Sequence, residues 1–350
     1  MYRYSAIIPV MVMFLTQSFS QHINQGDKHN GAAPSLAADN NKVYLVYALD
    51  DTILFCYSNN KGKSFSAPMQ AAISPQLSTG GGRGPQIVVT RDKLIIAAAD
   101  KTGNIYSFIK NKNEEQWRKG GRINDVSSVA KEAFVSLAAD GSGEVYAVWL
   151  DLRNNNKNKI AGAKSFDGGK TWSKNKIIYA SPDGSVCECC KPSVEMKDKM
   201  VVIMFRNWLN GNRDLFITTS IDGGLTFGKA KQVGDGNWKL NACPMDGGGL
   251  VIKNVNTIST VWRREGDIYA CEAGKKENKI AMGKQVTIAG NNNNNFISFV
   301  NDGKVYCIKP GGSIVELGSG SYPRLVMANE ETAVCAWQQD KQISYATVNR

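Results

Sequence analysis

Short apolar segments return in this chain at an interval of about fifty residues, and that interval limits the available folds more than any other feature. Ser35-Leu36-Ala37-Ala38-Asp39 reappears as Ser136-Leu137-Ala138-Ala139-Asp140. Each copy is followed by a turn and a second apolar run, Val43 to Tyr47 and Val145 to Trp149. Prolines mark the same point of the cycle: Pro34 and Pro85 lie 51 residues apart, and Pro192 and Pro244 lie 52 apart. Within a unit the apolar runs are short and broken by Gly, Asn, Asp and Lys, with almost no helical periodicity, which is the pattern of strands. Four short strands per unit of this length describe a β-propeller blade. One blade cannot bury both faces of its sheet, whereas a closed ring of blades can.

First strands are expected near residues 34, 85, 135, 192, 244, 296 and 323. The last two units have room for about three strands each, so the expectation is an all-β propeller of six or seven four-stranded antiparallel blades. It fills residues 21–350 as one domain, because no linker or composition shift divides the chain. Residues 1–20 read as a secretory signal peptide: Arg3, an apolar run from Ala6 to Leu15, and Ser18-Phe19-Ser20 before Gln21. That run is too short for a membrane span, and no later stretch is apolar enough for one. The protein is therefore expected to be exported without a transmembrane anchor, periplasmic or extracellular after cleavage.

A second repeat sits between the expected third and fourth strands. Ser165-Phe166-Asp167-Gly168-Gly169-Lys170-Thr171-Trp172 returns as Ser220-Ile221-Asp222-Gly223-Gly224-Leu225-Thr226-Phe227, with a weaker copy from Ser58 to Phe65. The aspartate can accept hydrogen bonds from its own turn, glycine supplies left-handed backbone, and the last aromatic can pack between sheets. These octads match the Asp-box pattern S-x-D-x-G-x-T-[WF], and through them the chain resembles the sialidase-like, BNR-repeat β-propeller superfamily. The matching positions are Ser165, Asp167, Gly169, Thr171 and Trp172, then Ser220, Asp222, Gly224, Thr226 and Phe227. Their expected role is structural.

In a propeller the loops entering first strands share a face with the turns between second and third strands. Candidate functional residues collect in those segments: His29-Asn30-Gly31, Asp50-Asp51, Arg83, Asp100, Asp151, Arg153, Lys191, Arg206, Arg213, Asp214, Asp246, Arg263, Arg264 and Glu265. Arg83, Arg153, Arg206, Arg213, Arg263 and Arg264 are the candidate ligand-binding set, since guanidinium groups suit bidentate capture of carboxylate or sulfate. Asp151, Arg153, Arg206, Arg213, Arg263 and Glu265 are the catalytic candidates. The net charge of +11 suits an acidic partner, but no run of Lys or Arg exceeds two, so no nucleic acid is expected. The resemblance implies a sialate site with three arginines, a Tyr–Glu pair and an Asp acid/base. This chain has no arginine between Gln21 and Gly82 and no Arg-Ile-Pro motif, so it departs from that pattern.

Four cysteines fall in the same segments: Cys187, Cys189 and Cys190 before the fourth blade, and Cys243 before the fifth. Export favours a disulfide from Cys243 to one of the other three. A thiolate site for Cu or Zn, with Met245 nearby, is the alternative, and free thiols a third. Cys56, Cys271, Cys307 and Cys335 sit among apolar strand residues and read as core. Three functions follow. The first is a propeller binding an anionic glycan, or an envelope or secreted protein, without sialidase catalysis. The second is a sialidase-like glycoside hydrolase or a lyase acting on acidic glycans. The third is a metal- or redox-linked envelope protein using the cysteines.

Overall fold

Second strands carry the densest apolar runs because both of their faces are covered by neighbouring blades. In the computed structural model, which describes residues 21–22 and 31–350, Val145–Asp151 and Met200–Arg206 are buried along their whole length. Outermost strands are short and wet instead, as in Met69–Ile73 and Arg118–Arg122, which explains their weak sequence signal. The strands form seven antiparallel sheets of four. The innermost strands are Ala32–Asp39, Gln86–Val89, Val135–Ala139, Ser193–Lys197, Gly248–Asn254, Lys284–Gly290 and Ser321–Met327, each touching the next and the last touching the first. The apolar clusters bridge successive blades, so the core is a set of inter-blade layers around one axis.

The expected count of six or seven resolves to seven, and the sixth blade begins earlier than the sequence reading placed it. Phe296 lies on the second strand, Asn295–Asn301, and the asparagine run is the turn before it, where the Asn291 N–H donates to the Asn294 carbonyl at 2.9 Å. The true first strand, Lys284–Gly290, follows the fifth blade after Gly283 alone, so no loop announces it. Gly320 makes the same one-residue step between blades six and seven. Blade seven takes its outer strand from the other end of the chain: Gln21 and His22 pair with Tyr345 and Ser344. The signal-peptide reading of residues 1–20, and His29-Asn30, lie outside the described residues.

The three octads occupy turns between third and fourth strands, and each turn is seated on the preceding blade. Ser220 Oγ accepts from the Gly224 N–H at 2.8 Å, while Asp222 accepts from the Thr226 N–H at 2.9 Å. Ser165 and Asp167 repeat the arrangement on Gly169 and Thr171 at 2.7 and 2.9 Å. Gly224 has φ +86°, and a Cβ there would lie 2.2 Å from Tyr146 of blade three. The same displaced contact recurs from Gly169 to Ile95 and from Gly62 to Val334. The closing aromatics follow suit: Phe227 meets Tyr146 edge-on at 5.9 Å, and Phe65 meets Tyr345 at 4.8 Å. Each turn is thus a fastener between blades.

Two outcomes are expected. Ser220→Ala orphans a buried N–H and should lower stability by about 1–3 kcal/mol, read as a shift in the denaturation midpoint with unchanged slope. Hydrogen bonds from the Thr226 hydroxyl and N–H and from Ser220 hold the Asp222 carboxyl far below its ordinary 3.8. Its stabilising effect is therefore complete above the unfolded-state value and is lost as pH falls through the folded one. Asp222→Asn should flatten the acid limb of the stability–pH curve, and an unchanged limb would contradict this.

Candidate functional site

The sequence-predicted arginines lie on the expected face, but most of their donors are committed within the protein. Arg206, 1% exposed, donates Nε to the Asp246 carbonyl at 3.0 Å, Nη1 to that of Arg213 at 2.7 Å and Nη2 to that of Arg263 at 2.9 Å. It ties blade four to the loop and second strand of blade five. Arg213, also buried, donates to the Leu240 carbonyl at 3.1 Å and to Cys187 Sγ at 3.1 Å. Arg263 bonds the carbonyls of Glu265 and Pro244 and lies 5.6 Å over the Trp238 ring, whose other neighbour is Arg206 at 5.1 Å. Arg206, Arg213 and Arg263 are therefore brought together.

The other candidates stand apart from them. Arg153 pairs with the fully buried Asp151 at 2.8 Å and with Asp125 at 3.1 Å, and Trp149 Nε1 donates to the same Asp151. Arg264 forms a two-pronged pair with Glu277 and stacks on Tyr269. Arg83 donates to the Glu132 carbonyl at 2.7 Å and covers the Phe134 ring at 4.2 Å. Glu265 is exposed and contributes only its carbonyl to Arg263.

A cavity of about 220 Å³ opens instead on the propeller axis, among the innermost strands. Two cations line it, Lys191 and Arg324, together with the carboxyls of Asp246 and Glu195, the amides of Gln86 and Gln285, and Tyr322. Lys191 Nζ donates to Gln86 Oε1. Arg324 makes only long bonds, 3.3 Å to the Pro323 carbonyl and 3.4 Å to that of Gly82. Burial, then repulsion from Arg324, pushes the Lys191 amine down. Burial pushes Asp246 up to about 6, although it accepts the Gln285 N–H at 2.6 Å, and pushes Glu195 up to about 7. The site thus holds a guanidinium, an amine that burial and that guanidinium push toward its neutral form, and two carboxyls that titrate near neutral pH.

Lys191 and Asp246 stand in blade-entry segments that the sequence singles out, and Arg324 is among its arginines, but none of the three, nor Glu195, entered the ligand-binding or catalytic set. A signal for part of this group was present. Gln86, Ser193 and Arg324 each follow a proline at or near the start of an inner strand, and all three line the cavity. Glycines at 81, 82, 247, 248 and 249 keep its wall low.

The cysteines correct the disulfide expectation. All eight are free, and Cys243 is exposed, with its sulfur 4.0 Å from Glu188 Oε1. The two loops do lie side by side, but Glu188 stands against Cys243 and reaches toward Arg213, at 3.6 Å. The other three sulfurs meet: Cys187 is 3.6 Å from Cys189 and 3.4 Å from Cys190, which are 4.0 Å apart. These spacings are too long for an S–S bond. Hydrogen bonding with Cys189 and Cys190, with Arg213 and Arg206 close by, holds the Cys187 thiol well below its usual range. The hydrogen bond to Cys187 pushes Cys189 up, and burial pushes Cys190 up. Cys189 also lines the axial cavity.

No family model matches the sequence, and no curated protein matches it. Solved structures match the fold. An α-L-arabinofuranosidase of Fusarium graminearum, in complex with arabinobiose, is 10% identical with a TM-score of 0.59, over 94% of this chain and 97% of that one. An ulvan lyase is 9% identical at 0.57, over 94% and 96%. A Dyadobacter fermentans protein of unknown function is 14% identical at 0.55, over 94% and 97%. At these identities the likeness establishes the propeller.

Arg206→Met should orphan three carbonyls and cost at least about 3 kcal/mol, at roughly 1 kcal/mol or more for each, measured by chemical denaturation. A variant as stable as the parent would remove Arg206 from the inter-blade framework.

Proposed function

We propose that this chain is an exported propeller that binds an acidic glycan in the axial cavity. The observation that carries the reading is the placing of Lys191 beside Arg324 there: burial and repulsion from the guanidinium both disfavour a proton on the amine, and the guanidinium's own backbone bonds are long. A bound carboxylate or sulfate offsets that repulsion and accepts the guanidinium's free donors. The low glycine wall admits a sugar ring, and Tyr322 and Gln285 supply partners for hydroxyls. The fold is compatible with such use: the arabinofuranosidase relative was solved with arabinobiose, and an ulvan lyase of the same fold was solved bound to -[GlcA(1-4)Rha3S]-. The arginine set expected from sequence, Arg83, Arg153, Arg206, Arg213, Arg263 and Arg264, acts in this reading mainly as framework around the cavity. Export rests on residues 1–20 and accords with a glycan ligand. No helix among the described residues is long and apolar enough to cross a membrane.

Asp246 and Glu195 favour a second reading, turnover of the bound glycan, because carboxyls poised near neutrality can give and take protons. Release of reducing ends or unsaturated products from uronate-containing and sulfated polysaccharides separates turnover from binding alone.

The test is calorimetric titration against a panel of uronate-containing and sulfated oligosaccharides. Arg324→Ala should weaken the best ligand about tenfold, a loss of about 1.4 kcal/mol, and Arg153→Ala should leave its affinity unchanged. No binding across the panel, or equal effects of the two changes, would sink the proposal. Affinity should also rise as pH falls from 8 to 5, because Asp246 and Glu195 take up protons and the cavity becomes more cationic. Affinity that falls over that interval argues against this site.

A further inference from the structure

The three clustered sulfurs lie beside the axial cavity, which Cys189 helps to line, and their geometry fits a different ligand. We infer that Cys187, Cys189 and Cys190 form a three-coordinate site for a single copper(I) ion, independently of the glycan reading. A point equidistant from sulfurs at these spacings lies about 2.1 Å from each, close to the roughly 2.3 Å of a metal–thiolate bond. The ion therefore fits slightly off the sulfur plane without any loop movement. Two of the three ligands come from adjacent residues and the third stands two residues before them, so a single turn presents all of them.

Coordination number selects the metal. Cys187, Cys189 and Cys190 are the one group of three or more His, Cys, Asp or Glu ligand atoms within mutual reach among the described residues, and no fourth such atom joins them. Zinc prefers a fourth ligand, whereas soft thiolate donors in a three-fold set suit copper(I). His22 and His29 are the only histidines in the chain, and the sulfur of Cys243 faces Glu188.

Charge agrees with this choice. Three thiolates around one copper(I) carry a net charge of −2. Two buried guanidiniums serve the cluster: Arg213 donates to Cys187 Sγ at 3.1 Å, and Arg206 stands close enough to act electrostatically on Cys187 and Cys190. Both are anchored by backbone carbonyls, so their charge stays in place whether or not the metal is bound. The nearby carboxylates already have partners, Glu188 with Arg213 and Glu132 with Arg83. Loading forms three Cu–S bonds in place of copper's acetonitrile ligands, sends to solvent the proton of each sulfur still present as S–H, and changes no oxidation state. Burial protects the thiolates from oxidants, while Cys189 on the cavity wall gives the ion a way in.

The test loads reduced protein anaerobically with copper(I) supplied as its tetrakis-acetonitrile complex, then desalts it in the presence of bathocuproine disulfonate. About one copper per chain should remain, with sulfur-to-copper charge-transfer absorption in the near ultraviolet and three sulfur neighbours by X-ray absorption. Cys187→Ser should cut retained copper at least tenfold while Cys243→Ser retains it in full. If Cys187→Ser fails to fold by circular dichroism, Cys189→Ser is read in its place. No retained copper, equal retention in the cluster variant, or zinc(II) held in preference to copper(I) overturns the assignment.

Discussion

Everything in this molecule follows from the need of a four-stranded sheet to cover two apolar faces at once. A single blade exposes Val145–Asp151 or Met200–Arg206 on both sides, and only a neighbour on each side removes that surface from water. Seven blades satisfy the requirement by closing on themselves. Closure then dictates where polar groups can go. The three octad turns between third and fourth strands become fasteners, each reaching back onto the blade before it. Loops on the opposite face converge on the axis, and that is where charge and sulfur accumulate.

The buried arginines show how closure shapes electrostatics. An inter-blade layer leaves backbone carbonyls facing one another across its upper edge, without a sheet ladder to satisfy them. Arg206 answers three of these carbonyls with one side chain, and Arg213 answers another while donating to a sulfur. A guanidinium suits the task because its donors lie in a rigid plane and its charge is weakly hydrated. The same property that recommends arginine for ligand capture thus recommends it for mending the framework, and sequence position alone does not separate the two uses.

That ambiguity sets the limit of what was legible. The repeat near fifty residues and the octads revealed the propeller, because apolar second strands and turn glycines are local demands. Blade six was misplaced since Gly283 gives no loop to mark it and Lys284–Gly290 packs with modest side chains. Blade seven read as short since its outer strand comes from the opposite end of the chain. At the site, the cysteine triplet was visible because its members are adjacent. Lys191, Glu195, Asp246 and Arg324 meet only through the ring, and each alone resembles an ordinary solvated charge. Cys243 was drawn into the cluster by loop adjacency, but Glu188 occupies the approach.

The single-glycine steps at Gly283 and Gly320 break the symmetry of the mouth. Loops of many residues precede blades two to five and build a rim, whereas blades six and seven have none. The opening is a notch rather than a ring. A polymer with one unit on the axis would cross no entry loop on the side of blades six and seven, so the fold itself would favour that side for the rest of the chain before any side chain reads its chemistry.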